Sequence, residues 1–147
     1  MIELSYEDKL LLEKWGFTVK EDASRLEIFY QNYRIATFEN SQPINLTQVV
    51  VKTISLLREQ LFPNVVQVYI VEGRTPCVWV VLKRPLPVIQ INFFPRLRQK
   101  SYVWEVRHYR TKQVFMKRRY SLSENPLNTL RQVIAELEKY LTLEVAL

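Results

Sequence analysis

Three short apolar runs follow one another between residues 65 and 94, and they constrain the fold of this 147-residue chain more than any other feature. They read VVQVYIV (65–71), CVWVVLK (77–83) and PVIQINFF (87–94), and each is rich in the β-branched residues that favour strands. Glycine and proline residues separate them, which favours turns between strands. The first two runs are apolar on both faces, so we expect them in the middle of a sheet.

Strand pairs and helices are predicted on both sides of these runs. Residues 25–38 predict two strands joined near Gln31-Asn32, and residues 101–109 and 113–121 predict another pair. Capping patterns predict a short helix from Ser5 (with Asp8) to Gly16, a long helix from Asn45 to Pro63, and a last helix opening at Asn125-Pro126. The elements predict an α+β fold in residues 1–147, one domain. We expect a strongly bent antiparallel β-sheet of about seven or eight strands, with two long helices on one face and a short N-terminal helix.

Two similar tetrapeptides suggest an internal duplication. QPIN at 42–45 and NPLN at 125–128 both open a helix after a predicted strand pair. One interpretation is that a strand-pair-then-helix unit occurs twice, at about 24–61 and 101–141. Chance recurrence of a helix opening made from proline and asparagine is the alternative.

Composition argues against secreted and membrane classes. The single cysteine, Cys77, leaves no intrachain disulfide framework and fits a reducing compartment. The start, MIELSYEDK, lacks the basic and apolar regions of a secretory signal. The longest apolar run, 77–82, is far shorter than the ~20 residues that a spanning helix needs. We therefore expect a cytoplasmic protein without membrane contact.

Charge is distributed unevenly along the chain, whose formal net charge is +6. Residues 1–72 carry a net charge of −3, whereas residues 73–147 carry +9. Between Arg74 and Arg119 there are 12 basic side chains and one acid, Glu105. This asymmetry favours an anionic partner. The alternative is that the cations only discourage association between strand edges.

The hairpin predicted over residues 101–121 determines where these cations point. A three-residue connection, 110–112, places Glu105 opposite Lys117, which is a favourable cross-strand pair. The same register turns Trp104 inward and sets Arg107 opposite Phe115. The outer face is then predicted to carry both cations and rings, namely Arg107, Tyr109, Phe115, Lys117 and Arg119.

Cations and exposed rings on one sheet face are typical of proteins that bind single-stranded nucleic acid. Cations follow the phosphates, and aromatic rings stack on the bases. The predicted phosphate ligands are Arg96, Arg98, Lys100, Arg107, Arg110, Lys112, Lys117 and Arg119, and the predicted stacking residues are Tyr109 and Phe115. The hypothesis requires Arg107, Lys117 and Phe115 to share one face.

A segment at the end of this region resembles a known family. TKQVFMKRRYSLSENPLNTLRQVI (111–134) is similar to the part of the Whirly proteins in which a basic strand leads through a short Leu-Ser stretch into a helix. INFFP (91–95) lies where the preceding strand of those proteins would end. The resemblance extends to the related group of single-stranded nucleic-acid-binding proteins that includes the PUR repeats. It implies sheet faces as the binding surface.

The sequence gives little indication of a catalytic site. We expect His108, the only histidine, to lie in the core beside Trp104, and Cys77 to be buried and inert. Glu72 and Glu105 offer a distant likeness to a nuclease metal site, which needs converging carboxylates. The predicted function is therefore non-enzymatic, with no cofactor and no resident metal, and low sequence specificity. The alternatives are an adaptor or assembly chaperone for an acidic protein, including another copy of this chain in a homo-oligomer, and a metal-dependent nuclease.

Overall fold

The computed structural model describes residues 6–39 and 45–146. Its helices are α1 (Tyr6–Lys14), α2 (Leu46–Leu56), α3 (Arg58–Leu61) and α4 (Pro126–Ala146). Its strands are β1 (Phe17–Glu21), β2 (Arg25–Tyr30), β3 (Tyr33–Glu39), β4 (Val65–Val71), β5 (Cys77–Leu82), β6 (Ile89–Arg96), β7 (Ser101–His108) and β8 (Val114–Ser121), with a 3-10 turn at Leu97–Gln99. The predicted cap Ser5 lies outside the described residues. Within the described chain, no helix combines the length and apolar character needed to cross a membrane.

The α+β class and the antiparallel pairing are confirmed, but the prediction of one strongly bent sheet is wrong. The strands form a three-stranded sheet, β1-β2-β3, and a five-stranded sheet, β4-β5-β6-β7-β8. The chain leaves β3 through α2 and α3, and α2 packs against strands of both sheets, so it bridges them. β1 has a weak sequence signal, because only Phe17 is buried among its five residues.

Helix ends and turns follow their local chemistry. Asn45 caps α2 by accepting a hydrogen bond from the Gln48 amide at 3.2 Å, as the sequence predicts. The predicted long helix is broken at Leu57, whose backbone leaves the helical region at φ −96° and ψ 18°. Gln31 and Asn32 both have positive φ (50° and 69°), the conformation of a tight type I′ hairpin turn, and this confirms the predicted joint between β2 and β3.

One apolar core joins the two sheets and the helices. Trp15, which follows α1, packs edge-on against Phe93 and Tyr102 of the five-stranded sheet, with ring centroids 6.0 Å apart in each case. Its indole N–H donates to the Leu122 carbonyl at 2.8 Å. Asn125, which caps α4, donates to the Trp15 carbonyl at 2.6 Å. The N-terminal part of the fold is thus hydrogen-bonded to the start of the last helix.

A buried hydroxyl fixes α4 to the inner face of the five-stranded sheet. Thr129 accepts from the Trp104 indole at 3.0 Å and lies 2.8 Å from the Tyr102 hydroxyl. Trp104 is fully buried, which confirms that its indole points inward. Burial also raises the pKa of the Tyr102 phenol well above its usual value, so this phenol stays protonated and available as a donor.

We expect Thr129→Val to destabilise the fold by about 1–3 kcal/mol, because it removes a buried partner from two polar side chains. Chemical denaturation followed by circular dichroism measures the change. Thr129→Ser keeps the hydroxyl and is the matched control, which should lose less stability than the valine variant. Equal losses in the two variants would show that the hydroxyl contributes no more to stability than the methyl group that serine lacks.

Candidate nucleic-acid interface

The β7–β8 hairpin adopts the predicted register over most of its length. Glu105 lies opposite Lys117, and Trp104 lies opposite Arg118. A bulge follows Val106, so Arg107 lies opposite Val114 and not opposite Phe115. Bulges add a residue to one strand and change the direction of the side chains beside them. The bulge therefore redirects the side chains at the loop end of the hairpin.

Phe115 is the residue most affected, and its predicted place on the outer face is wrong. It packs against the buried core, and its ring lies 6.2 Å from the ring of Tyr140 on α4. It is also 6.2 Å from the His108 ring. The predicted grouping of Phe115 with Arg107 and Lys117 on one face is thus not observed. The condition for nucleic-acid binding by the predicted hairpin face is therefore not met, and the stacking role predicted for Phe115 is withdrawn.

The hairpin loop is longer than predicted, and a lysine takes the conformation that glycine usually supplies. The His108 amide donates to the Gln113 carbonyl, and the Lys112 amide donates to the His108 carbonyl. Lys112 has φ 64°, in the left-handed region. His108 Nδ1 accepts from the amides of Arg110 and Thr111 at 3.1 and 3.2 Å. The prediction of a core histidine is therefore wrong, since His108 is half-buried and organises this loop.

The register places one set of side chains on the side of the five-stranded sheet away from α2 and α4. Tyr69 lies opposite Trp79, which lies opposite Gln90. Gln90 in turn lies opposite Arg107. Residues that alternate with them, such as Ile91, enter the core on the helix side. We call the side that carries Tyr69, Trp79, Gln90 and Arg107 the open face, because its described hydrogen bonds and ring contacts stay within β4–β8 and their connections.

A continuous polar ribbon crosses the open face. The Trp79 indole donates to Gln90 at 3.3 Å, and the Gln90 amide donates to Asn92 at 3.1 Å. Asn92 donates to Glu105 at 2.9 Å, and Glu105 forms an ion pair with Arg107. Glu105 is buried, so this carboxylate needs both partners. These hydrogen bonds and the ion pair hold the side chains of the open face in place without a ligand.

Three aromatic rings stand on or beside the open face. Tyr69 is 52% exposed, and Trp79 is half-buried. The Tyr109 ring lies 5.9 Å from the Trp79 ring, and the Arg110 guanidinium lies 5.7 Å from the Tyr109 ring centre. Tyr109 was among the predicted stacking residues, but Tyr69 and Trp79 were not. Their runs read as apolar on both sides, and the polar Gln67 in β4 is the one signal of a wet face.

The predicted cations separate into paired and unpaired groups. Arg107 forms an ion pair with Glu105, and Arg118, on the helix side, pairs with Glu136 of α4 at 2.6 Å. Apart from Lys100, which is described below, the remaining predicted cations on the strands and connections of this sheet are exposed and form no ion pair within the described residues: Arg96, Arg98, Arg110, Lys112, Lys117 and Arg119. Neutral partners hold two of them: Lys112 donates to Gln90, and Arg119 donates to Ser101 and Gln99. Arg110 and Lys112 are the two of these cations that the contacts place beside the rings, through Tyr109 and Gln90.

Lys100 departs from the predicted set. It lies in the left-handed region at φ 51° after the 3-10 turn. It lines an open cavity of about 530 Å³ together with Leu10, Leu11 and Lys14 of α1, and with Leu122. This places Lys100 toward α1 instead of grouping it with the rings, so we remove it from the candidate interface.

The candidate catalytic residues do not converge. Within residues 6–39 and 45–146, no group of three or more His, Cys, Asp or Glu side chains is arranged to hold a metal ion. Cys77 is buried, as the sequence predicts, and burial raises the pKa of its thiol. Glu105 is engaged by Asn92 and Arg107, as described above.

Comparisons with models of protein families, with curated proteins and with solved structures found no match to this chain. The resemblance of residues 111–134 to the Whirly and PUR group therefore stays a prediction. The geometry of the open face is the remaining guide to function.

Proposed function

We propose that the open face binds single-stranded nucleic acid with little sequence specificity and without catalysing a reaction on it. One observation carries this proposal: the rings of Tyr69, Trp79 and Tyr109 belong to the same uncovered side of a sheet whose strands and connections carry the six exposed cations named above. Rings bind the faces of unpaired bases, and cations neutralise the phosphates between them. The hairpin face predicted from the sequence does not form, because Phe115 packs on the helix side. The present proposal therefore names the same class of partner on different grounds, namely the rings of Tyr69, Trp79 and Tyr109.

The arrangement favours single strands over duplexes. Bases in a duplex are stacked on one another, so their faces are closed to protein side chains. A row of rings from β4 and β5 can contribute stacking energy only when the bases are unpaired. The cations sit mainly at the hairpin loop, where Arg110 and Lys112 lie, and along β8, where Lys117 and Arg119 lie. β4 and β8 are the two edges of the sheet, so a nucleic-acid strand that runs from Tyr69 over Trp79 and Tyr109 would pass from the rings to these cations.

Low specificity follows from the chemistry of the ribbon. The amide groups of Gln90 and Asn92 are engaged with neighbouring side chains, so their capacity to read base edges is reduced. Stacking and phosphate contacts tolerate every base. The related single-stranded binding group that residues 111–134 resemble also uses sheet faces, which supports the proposal.

An acidic protein is the second candidate partner, because exposed rings and cations on one sheet also suit an acidic peptide. The two partners differ in one respect that can be measured. A nucleic acid offers base faces to Trp79 and Tyr69, whereas an acidic peptide mainly offers carboxylates to the cations. An oligonucleotide titration therefore separates them.

We expect a fluorescently labelled single strand of about 20 nucleotides to bind at about 50 mM salt, and a duplex of the same sequence to bind more weakly. Fluorescence anisotropy measures both affinities. Equal affinity for the two forms would indicate binding by charge alone. No binding of either form at low salt would contradict the proposal and favour the acidic protein partner, and cleavage of the oligonucleotide on adding Mg²⁺ would favour the nuclease.

A further inference from the structure

The free edge of the five-stranded sheet at β4 lacks the usual protection against pairing with another strand. β4 is the first strand in the sheet order, so one of its sides has no neighbour. Its sequence, VVQVYIV, contains no charged residue and no proline. Charges, proline and bulges are the devices by which natural edge strands avoid pairing. β4 has one of these, a bulge between Val65 and Gln67, which leaves 67–71 regular.

The other edge of the same sheet is protected. β8 contains three consecutive cations, Lys117, Arg118 and Arg119, and it is also bulged. A second strand with like charges would be repelled from it. The two edges therefore differ in the property that decides whether a strand can be added.

We propose that β4 pairs with β4 of a second copy of this chain to form a dimer with one continuous ten-stranded sheet. A two-fold axis at Tyr69 sets Tyr69 opposite Tyr69 of the second copy and Val68 opposite Ile70. Gln67 then lies opposite Val71. Each pair is compatible, since the apolar pair falls on the core side and the aromatic pair on the open face.

A second copy fits this edge better than a charged partner strand does. The segment 67–71 offers no charge for a charged strand to pair with, whereas the same segment on a second copy is uncharged at each matching position and apolar at the core-side pair of Val68 and Ile70. The exposed Tyr69 would gain an aromatic neighbour. The pairing uses both β4 edges, and the edges that remain are the cationic β8 strands. The assembly therefore closes as a two-fold dimer and does not extend into a filament.

Sedimentation equilibrium of the full chain, without nucleic acid, tests this inference. We expect a mass of twice 17.7 kDa as concentration rises through the micromolar range, because dimerisation follows mass action. Tyr69→Lys puts two lysines opposite each other at the axis and should return the monomer. The matched control is Tyr33→Lys, which changes a tyrosine of similar exposure (49% against 52%) on the other sheet and should leave the dimer intact.

A charge-pair variant tests the register itself. Gln67→Lys alone should weaken the dimer by placing a lysine opposite Val71, and adding Val71→Glu should restore it through two cross-strand pairs. A monomer at all concentrations would overturn the inference, as would a dimer that Tyr69→Lys leaves intact or an open-ended polymer. Because no nucleic acid is present, these results are independent of the oligonucleotide titration.

Discussion

Replacing Trp79 by alanine should weaken binding of a 20-nucleotide single strand by about five- to 150-fold. This range corresponds to the loss of one stacked base, worth about 1–3 kcal/mol. The Trp79 indole is held on the open face by its hydrogen bond to Gln90 and by contact with the Tyr109 ring, so its orientation is restrained before binding. Rigid rings lose little conformational entropy on binding. Anisotropy titration of the variant measures the change directly.

Two aromatic variants serve as controls for Trp79→Ala. Phe115→Ala removes a ring that packs toward Tyr140 of α4, so we expect affinity to stay within about twofold of the original, provided that the fold is intact. Tyr33→Ala removes an exposed ring from the three-stranded sheet and should have no effect. If Phe115→Ala weakens binding as much as Trp79→Ala does, the helix side of the hairpin is involved and the open face is the wrong surface.

Binding should also depend steeply on salt. For single strands, the slope of log affinity against log salt concentration is about −0.7 for each neutralised phosphate, so six contacts give a slope of about −4. Between about 50 and 200 mM salt, the affinity then falls by roughly 300-fold. This figure uses the six cations of the candidate interface that are unpaired within the described residues and leaves out Arg107, which Glu105 neutralises. A slope shallower than about −2 would leave most of these cations without a phosphate.

Adjacent residues of β8 provide a matched pair for this measurement. Lys117 is exposed on the open face, whereas Arg118 points to the helix side and pairs with Glu136. Lys117→Gln should reduce the steepness of the salt dependence by about 0.7, and Arg118→Gln should leave it unchanged. Both variants remove one positive charge, so their net charges are equal. If the two variants have identical slopes of log affinity against log salt concentration, binding depends only on the net charge of the protein and not on which face carries the cation.

Period-two alternation with a favourable charge pair was enough to predict most of the β7–β8 register. Placing Glu105 opposite Lys117 and turning Trp104 inward satisfied both rules, and the structure has both features. The strands between 65 and 96 were also predictable, because β-branched runs broken by glycine and proline allow few other structures. Local chemistry thus determined most of the elements.

The remaining features depend on tertiary contacts that have no local signature. The bulge beside Val106 turns Phe115 toward α4, and no glycine marks the place, since the left-handed residue of the loop is Lys112. The separation of the strands into two sheets depends on α2, which contacts both. Trp79 lies in a run that is apolar on both sides, so its half-exposure emerges only when its neighbours on β4 and β6 are known.

The placement of the three tryptophans allows binding and unfolding to be followed by intrinsic tryptophan fluorescence. Trp15 and Trp104 are fully buried, whereas Trp79 lies on the open face. A ligand stacked on Trp79 would quench the intrinsic emission of one indole in three, and unfolding would shift the emission of the other two to longer wavelength. Occupancy and denaturation therefore have separate spectral signatures in the unlabelled chain, and one fluorimeter can follow both.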